Sequence, residues 1–192
     1  MKERSQRLQR LARGIQHCHK CPLHRERRHA VPGEGPADAA VMFVGEAPGE
    51  EEDKTGRPFV GRSGRFLDQV LKECGIVRDR LFITSSVKCR PPGNRDPRDR
   101  ELTTCKHHWL DAQIDILDPG LIVILGRVAM KQLLETAATI SSARQGIKRV
   151  LGRNALVTYH PTAAMRFPEP RRAFISDMGT VGEYLKRQDA EK

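Results

Sequence analysis

The sequence predicts an α/β fold in which a mostly parallel, four-stranded sheet carries helices on both faces. Short apolar runs of strand length alternate along the chain with amphipathic stretches of helix length. Each apolar run is followed directly by a glycine-rich or polar segment. The 192 residues contain no repeat, low-complexity tract or long linker. This length and continuity favour a single domain over residues 1–192.

The predicted elements follow one another along the chain. Leu8, Leu11 and Ile15 recur at helical spacing and predict a short amphipathic helix at the start. The predicted strands span residues 39–44, 81–84, 121–125 and 155–159. The helices predicted after them span residues 63–74, 98–117, 128–134 and 171–185. Ser63 is the predicted N-cap of the helix over 63–74, and Gly75 is its predicted C-terminal stop.

Polar and glycine-rich segments follow all four predicted strands. Gly45–Gly49 follows the first strand, and residues 85–89 follow the second. Gly126 follows the third strand, and His160 follows the fourth. Open α/β sheets bind their ligands in the crevice outside the carboxyl ends of their strands. The sequence therefore predicts that these four segments form one site.

The charge of the chain points to an anionic partner. It carries 34 Lys+Arg against 24 Asp+Glu, a net charge of +10, which favours a polyanion such as nucleic acid. No apolar run approaches the ~18 residues of a spanning helix, so no membrane partner is expected. The first ten residues show no apolar stretch behind their charges. We therefore expect no secretory signal and a cytoplasmic protein.

Five cysteines in a protein of the reducing cytoplasm favour a metal, a cluster or catalysis over disulfides. Cys18 and Cys21 form a tight Cys-x-x-Cys knuckle, and Cys89 and Cys105 supply a second, wider pair. Four thiolates bind either zinc or an iron–sulfur cluster, and the spacing leaves both open. It also leaves open that the second pair does not bind metal. Cys74 lies on the apolar stripe of its helix, so we expect it to pack in the core.

Two of the polar segments contain candidate catalytic residues. Gly45–Asp53 lacks the Gly-Lys-Ser/Thr ending of a nucleoside-triphosphate loop, and its four consecutive acids repel phosphate. It is either a backbone turn that presents amides and carboxylates to a ligand or a solvated acidic turn. His160 is placed to donate a hydrogen bond to a developing negative charge. The alternative is a structural histidine at a strand end.

Arginines are abundant near these segments. They follow Cys89 and His160 in the sequence, and the candidates for binding DNA are Arg95, Arg98, Arg166 and Arg171. Any one of them alone is expected to be a solvated surface charge. Together, at the mouth of the predicted crevice, they are typical of phosphate contacts that position DNA without reading its sequence.

These residues resemble the iron–sulfur, or type-4, uracil-DNA glycosylases across nearly the whole chain. The matching segments are CHKCPL (18–23), GEAPGEEEDKTGRPFVG (45–61), VKCRPPGN (87–94), Cys105 and His160-Pro161. The resemblance implies a three-layer α/β/α sandwich, a monomer, and uracil-containing DNA, single- or double-stranded, as substrate. It also implies a 4Fe–4S cluster bound by four cysteines: Cys18, Cys21, Cys89 and Cys105.

The resemblance also implies roles for individual residues. Glu46 and His160 would be catalytic, with His160 at the O2 edge of uracil. Phe59 would stack on the base, and Glu52 would crowd the C5 position, where thymine carries a methyl group. The full set implied to bind the base is Gly45, Glu46, Ala47, Glu52, Phe59, Ser85 and His160.

The sequence departs from the family pattern at one position. Type-4 enzymes usually have asparagine before the Val-Lys-Cys stretch, where its side chain hydrogen-bonds uracil, whereas this chain has Ser85. The departure makes a glycosylase with broader or altered base specificity an alternative. A cluster-bearing DNA-binding module without catalysis is a second alternative, although it has no need of Glu46, Phe59 and His160 together.

Overall fold

Five strands form one sheet in the order β2-β1-β3-β5-β4 in the computed structural model, which describes residues 2–190. The strands are β1 (Val41–Gly45), β2 (Leu81–Ser85), β3 (Leu121–Leu125), β4 (Lys148–Val150) and β5 (Arg153–Thr158). Strands β2, β1, β3 and β5 pair in parallel, and β4 pairs antiparallel with β5 at one edge. The predicted α/β class with a mostly parallel sheet is confirmed.

The strand at the edge corrects the predicted count from four to five. β4 has three residues, and two of them are basic, so it contains no apolar run by which a strand is predicted. It reaches β5 through Leu151 and Gly152, whose φ angles are 46° and 80°. Two consecutive positive φ angles are the geometry of a tight hairpin turn. A short, charged edge strand of this kind discourages pairing with another chain.

Helices cover both faces of the sheet. They are α1 (Lys2–Gln16), α2 (Glu50–Thr55), α3 (Arg62–Glu73), α4 (Asp99–Cys105), α5 (Asp111–Leu117), α6 (Arg127–Leu134), α7 (Ile140–Ala143), α8 (Pro161–Arg166) and α9 (Pro168–Ala190). Alternate strand residues point to opposite faces. Phe43 and Ile83 pack with α3 and α9, while Met42 and Ile122 pack with α5 and α6. This confirms the three-layer α/β/α arrangement. Within residues 2–190, none of the helices has both the length and the apolarity to cross a membrane.

Two helices differ in detail from their predictions. Gly61, not Ser63, is the N-cap of α3, so Ser63 lies inside the helix and its predicted role is wrong. The physical reason is that a buried carboxylate accepts the Gly61 N–H, which fixes the start of the helix two residues earlier. The helix predicted over 98–117 is α4 and α5, joined by the π-helical turn Lys106–Leu110. That turn begins directly after Cys105, and π-turns are frequent at functional sites.

Two short helices flank the predicted site and were not predicted. The acidic run Glu50–Asp53 begins α2 instead of forming a turn. Carboxylates in the first turn favour a helix because they interact with the positive end of its dipole. Pro161 is the first residue of α8, where its fixed φ angle suits a helix start and its missing N–H costs nothing. Both helices begin where a sheet strand has just ended, so their N-terminal ends face the same crevice.

Candidate active site

Three of the four predicted segments meet in one cleft at the carboxyl ends of β1, β2 and β5, whereas Gly126, after β3, does not line it. The predicted residues that line it are Glu46, Ala47, Glu52, Phe59, Ser85, Arg95 and His160. Gly45 lies beneath the cleft at the end of β1, paired in the sheet with Ser85. The structure therefore brings together all the residues expected to bind the base, from segments more than a hundred positions apart in the chain.

Phe59 forms one wall of the cleft and depends on two glycines. A Cβ atom on Gly45 would lie 2.5 Å from Cζ of Phe59, so only glycine leaves room for the ring there. A Cβ on Gly64 would lie 1.9 Å from the Phe59 carbonyl oxygen. Phe59 itself has a φ of 51°, a backbone conformation that is uncommon for a bulky residue and found where the surroundings impose it. The ring is 6% exposed, and its centre lies 6.0 Å from that of the His160 ring.

Glu52 holds the loop that carries Phe59. One of its carboxylate oxygens accepts hydrogen bonds from the backbone N–H groups of Val60 and Gly61, both at 2.8 Å. The other oxygen accepts from the Gly49 N–H at 3.1 Å. The side chain is buried, so these charge-assisted bonds are strong. This role was not predicted, although Glu52 stands three residues after Gly49, the spacing at which a carboxylate folds back onto the N–H of its own helix start.

His160 has a defined tautomer. Its Nδ1 accepts a hydrogen bond from the Thr162 backbone N–H at 3.2 Å, so Nδ1 carries no hydrogen and Nε2 does. Burial lowers the pKa of His160 to about 4, while the nearby Glu52 charge opposes that shift. At neutral pH the ring is therefore a neutral donor through Nε2–H in the wall of the cleft.

Glu46 follows β1 and is partly buried. Burial raises the pKa of its carboxyl group, Asp96 raises it further, and Arg127 opposes the shift. Its backbone carbonyl accepts the Val87 N–H at 3.2 Å, and the Ser86 hydroxyl donates to the Gly45 carbonyl at 2.9 Å. These bonds hold the ends of β1 and β2 together. A carboxylate with a raised pKa beside a cleft is suited to orient water or to interact with positive charge.

The four cysteines proposed as ligands line a second cavity, beside the cleft. The cavity is formed by α1, the segment that follows it, the loop after β2 and the end of α4, and its thiols belong to Cys18, Cys21, Cys89 and Cys105. Trp109 Nε1 donates to the Cys18 sulfur at 3.2 Å, and Arg27 Nη1 donates to the Cys89 sulfur at 3.0 Å. Burial raises the pKa of Cys89 to about 11 and that of Cys105 to about 12. Cys74 lies elsewhere, packed against the core as predicted.

The four arginines proposed to contact DNA have different surroundings. Arg95 donates to both carboxylate oxygens of Glu101, at 2.8 and 2.9 Å, so its guanidinium already has an internal partner. Arg98 and Arg166 are exposed. Arg171 is exposed and lies 5.3 Å above the Phe66 ring. The structure thus leaves three of the four on the surface, and Arg95 lines the cleft as a partner of Glu101.

One family model and several known proteins match the sequence of this chain over most of its length. Residues 32–179 match the family model of the Uracil DNA glycosylase superfamily. The chain is 44% identical over 185 residues to the type-4 uracil-DNA glycosylase of Sulfurisphaera tokodaii, covering 92% of this chain and 84% of that protein. It is 42% identical over 178 residues to that of Thermotoga maritima, covering 91% and 92%. It is 34% identical to the type-5 uracil-DNA glycosylase of Thermus thermophilus over 150 residues, covering 68% of each.

Proposed function

Because the chain belongs to the uracil-DNA glycosylase superfamily, and within it to the type-4 enzymes, we propose that its cleft holds a uracil base extruded from DNA. The chain is a hydrolase that cleaves the N-glycosidic bond of uracil and so begins the repair of that base. A glycosidic bond inside a stacked duplex is out of reach of a buried cleft, so the nucleotide has to leave the stack first. We also propose that the enzyme works as a monomer in the cytoplasm, on single- or double-stranded DNA.

The observation that carries this proposal is the pairing of an aromatic wall with a neutral histidine donor. Phe59 lines the cleft, and its left-handed backbone conformation is one that the surrounding structure imposes. His160 presents Nε2–H, because Nδ1 is engaged with the Thr162 N–H. A neutral donor of this kind stabilises a developing negative charge through a hydrogen bond.

The reaction adds water across one bond. Water attacks C1′ of the sugar, the C1′–N1 bond breaks, and its electron pair leaves with the base as a uracil anion that later takes a proton. His160 and the amides of Gly45–Gly49 are the proposed donors to that anion. Glu46 is the proposed partner of the attacking water, or of the positive charge that develops on the sugar. Glu52 and Ala47 are proposed to shape the cleft around the base.

A panel of oligonucleotides tests this function. Substrates carrying uracil, hypoxanthine, xanthine or thymine opposite guanine are incubated with the pure protein and then cleaved with alkali at abasic sites. We expect strand cleavage at uracil. A protein that binds all four substrates and yields no abasic product would instead be the DNA-binding module considered above.

We propose that the four thiols hold a 4Fe–4S cluster. The donor set fits, because four cysteines line one cavity and two of their sulfurs already accept N–H hydrogen bonds. A single zinc ion needs its ligands about 2.3 Å from one point. Membership of the type-4 family favours a cluster over zinc, and in such a cluster each iron takes its own thiolate. Hydrolysis transfers no electrons, so the group would supply a structural link.

The cluster proposal predicts the metal content. Protein purified without air is expected to be brown and to contain iron and sulfide in equal amounts, with no zinc. Cys105→Ser should lower the iron content strongly. Cys74→Ala is the matched control and should leave it unchanged, because Cys74 packs in the core away from the cavity. Stoichiometric zinc in natively expressed protein would contradict the proposal.

Ser85 is predicted to widen the choice of base. An asparagine offers an acceptor and donors in a fixed fork that matches uracil N3–H and O4, whereas a serine has one rotatable hydroxyl on a shorter stem. Ser85 is 4% exposed and lines the cleft, so water is not freely available to replace the missing contacts. We expect Ser85→Asn to release uracil faster and to act on fewer bases than the parent.

The same oligonucleotide panel, extended to cytosine, measures this effect. Single-turnover rates are compared between the parent and Ser85→Asn on each base. Equal rates and an equal range of substrates in both proteins would mean that this position does not read the base.

A further inference from the structure

Lys88 is a buried lysine for which the proposed chemistry has no use. Its side chain is 1% exposed, and a buried amine is costly unless hydrogen bonds compensate it. Nζ donates to Thr84 Oγ1 at 2.6 Å and to the Ser85 carbonyl oxygen at 2.7 Å. The Thr84 hydroxyl in turn donates to the Pro32 carbonyl at 3.0 Å, so its oxygen is free to accept from Lys88.

The backbone of the same residue reaches the thiol cavity. Lys88 lines the cavity together with Cys105 and with Cys89, the next residue in the chain. The Lys88 carbonyl accepts the Val31 N–H at 2.7 Å. Lys88 thus lies among the proposed cluster ligands and is hydrogen-bonded, through its side chain, to Ser85 in the base cleft.

The thiol cavity favours a positive charge on the Lys88 side chain. Four thiolates with iron form an anionic centre, which favours the ammonium form of a neighbouring lysine. A cation enclosed next to an anionic centre also makes the addition of an electron to that centre more favourable.

We propose that Lys88 is a positioning residue that ties Ser85, in the base cleft, to the cluster ligands and supplies the buried counter-charge of the cluster. This inference rests on the proposed function and on the cluster proposed with it. It predicts that one side chain has two separable effects. The donor hydrogens hold the Ser85 backbone in place, and the positive charge acts on the cluster.

Three iron-loaded variants separate these effects. Lys88→Met has a similar length but neither donor nor charge, and Lys88→Gln keeps a donor but no charge. Lys148→Met is the matched control, because Lys148 lies on the edge strand β4 and donates to the Gln145 carbonyl. The readouts are the reduction potential of the cluster, the rate of iron loss to a chelator, and kcat and KM for uracil release.

We expect Lys88→Met to lower kcat by roughly tenfold, since small displacements at a reacting site are costly, with little change in KM. Its cluster potential should move to more negative values, and it should lose iron faster than the parent. Lys88→Gln should show the same shift in potential and a smaller loss of kcat. Lys148→Met should match the parent in every readout.

Two outcomes would overturn the inference. One is a Lys88→Met protein with parental potential and iron retention. The other is a Lys88→Met protein with parental kcat. If Lys88→Met does not fold, Lys88→Gln still tests the inference. An unshifted cluster potential in that variant would show that Lys88 does not supply the counter-charge. A parent protein without iron, or without uracil release, would refute the proposed function itself, and both are measured before the variants are compared.

Discussion

Replacing His160 by alanine is expected to slow single-turnover release of uracil by about 10²–10³-fold, the usual cost of losing one donor to a developing anion. The reason is geometric: Nδ1 accepts from the Thr162 N–H, so the N–H hydrogen of the ring is at Nε2. Because the pKa is lowered to about 4, the ring reacts as a neutral donor throughout the neutral pH range. The measurement is rapid-quench cleavage of a uracil oligonucleotide with enzyme in excess.

The control for this prediction separates chemistry from binding. His107→Ala removes an imidazole whose side chain is 66% exposed on the π-helical turn, and it should retain the parental rate. DNA affinity should barely change in His160→Ala, because the contact is proposed to form with the departing base. If His160→Ala keeps full activity, or if it loses affinity and rate in equal measure, the histidine does not act on the leaving group.

The parts of the fold that were predicted correctly depend on local signals. Apolar runs such as Leu121–Leu125 are buried on both faces of a parallel sheet, and this makes them continuous and easy to recognise. The position of the cleft followed from the same runs, because polar segments at the carboxyl ends of parallel strands meet at one edge. The residues expected to bind the base therefore meet in the structure as predicted.

The parts that were not predicted depend on contacts that no local sequence pattern signals. β4 is too short and too basic to show a strand pattern, and it exists because β5 lies beside it. The start of α3 is set by a hydrogen bond from Gly61 to Glu52, nine positions earlier. The pairing of Arg95 with Glu101 was not predicted either, because the sequence shows the charges but not which of them pair.

Glu52 is expected to act through the loop that it holds, and Glu52→Ala should therefore cost both stability and rate. The variant would leave the N–H groups of Gly49, Val60 and Gly61 without their acceptor. A buried donor without a partner costs about 1–3 kcal/mol, so we expect a loss of about 3 kcal/mol in the free energy of unfolding. Urea denaturation measures it. Glu51→Gln is the matched control, because Glu51 lies on the same helix with its side chain 53% exposed.

Glu52→Gln distinguishes this role from a purely steric one. Glutamine has the size of glutamate, so a residue that only crowds the C5 position would tolerate it without loss of uracil release or of thymine exclusion. An amide has one acceptor oxygen and a donor nitrogen, so it cannot accept from Gly49 on one side and from Val60 and Gly61 on the other. We expect a rate loss of roughly tenfold or more, since the loop carries Phe59.

A double-mutant cycle between Glu52→Gln and Phe59→Leu shows whether the loss runs through the aromatic ring. If Glu52 acts by holding Phe59 in its left-handed backbone conformation, the Glu52 substitution should cost little once the ring is absent, and the two effects on the rate should be strongly non-additive. Additive effects would mean that Glu52 contacts the base independently of the ring. In that case its three backbone hydrogen bonds stabilise the fold, and the crowding of C5 remains its part in the reaction.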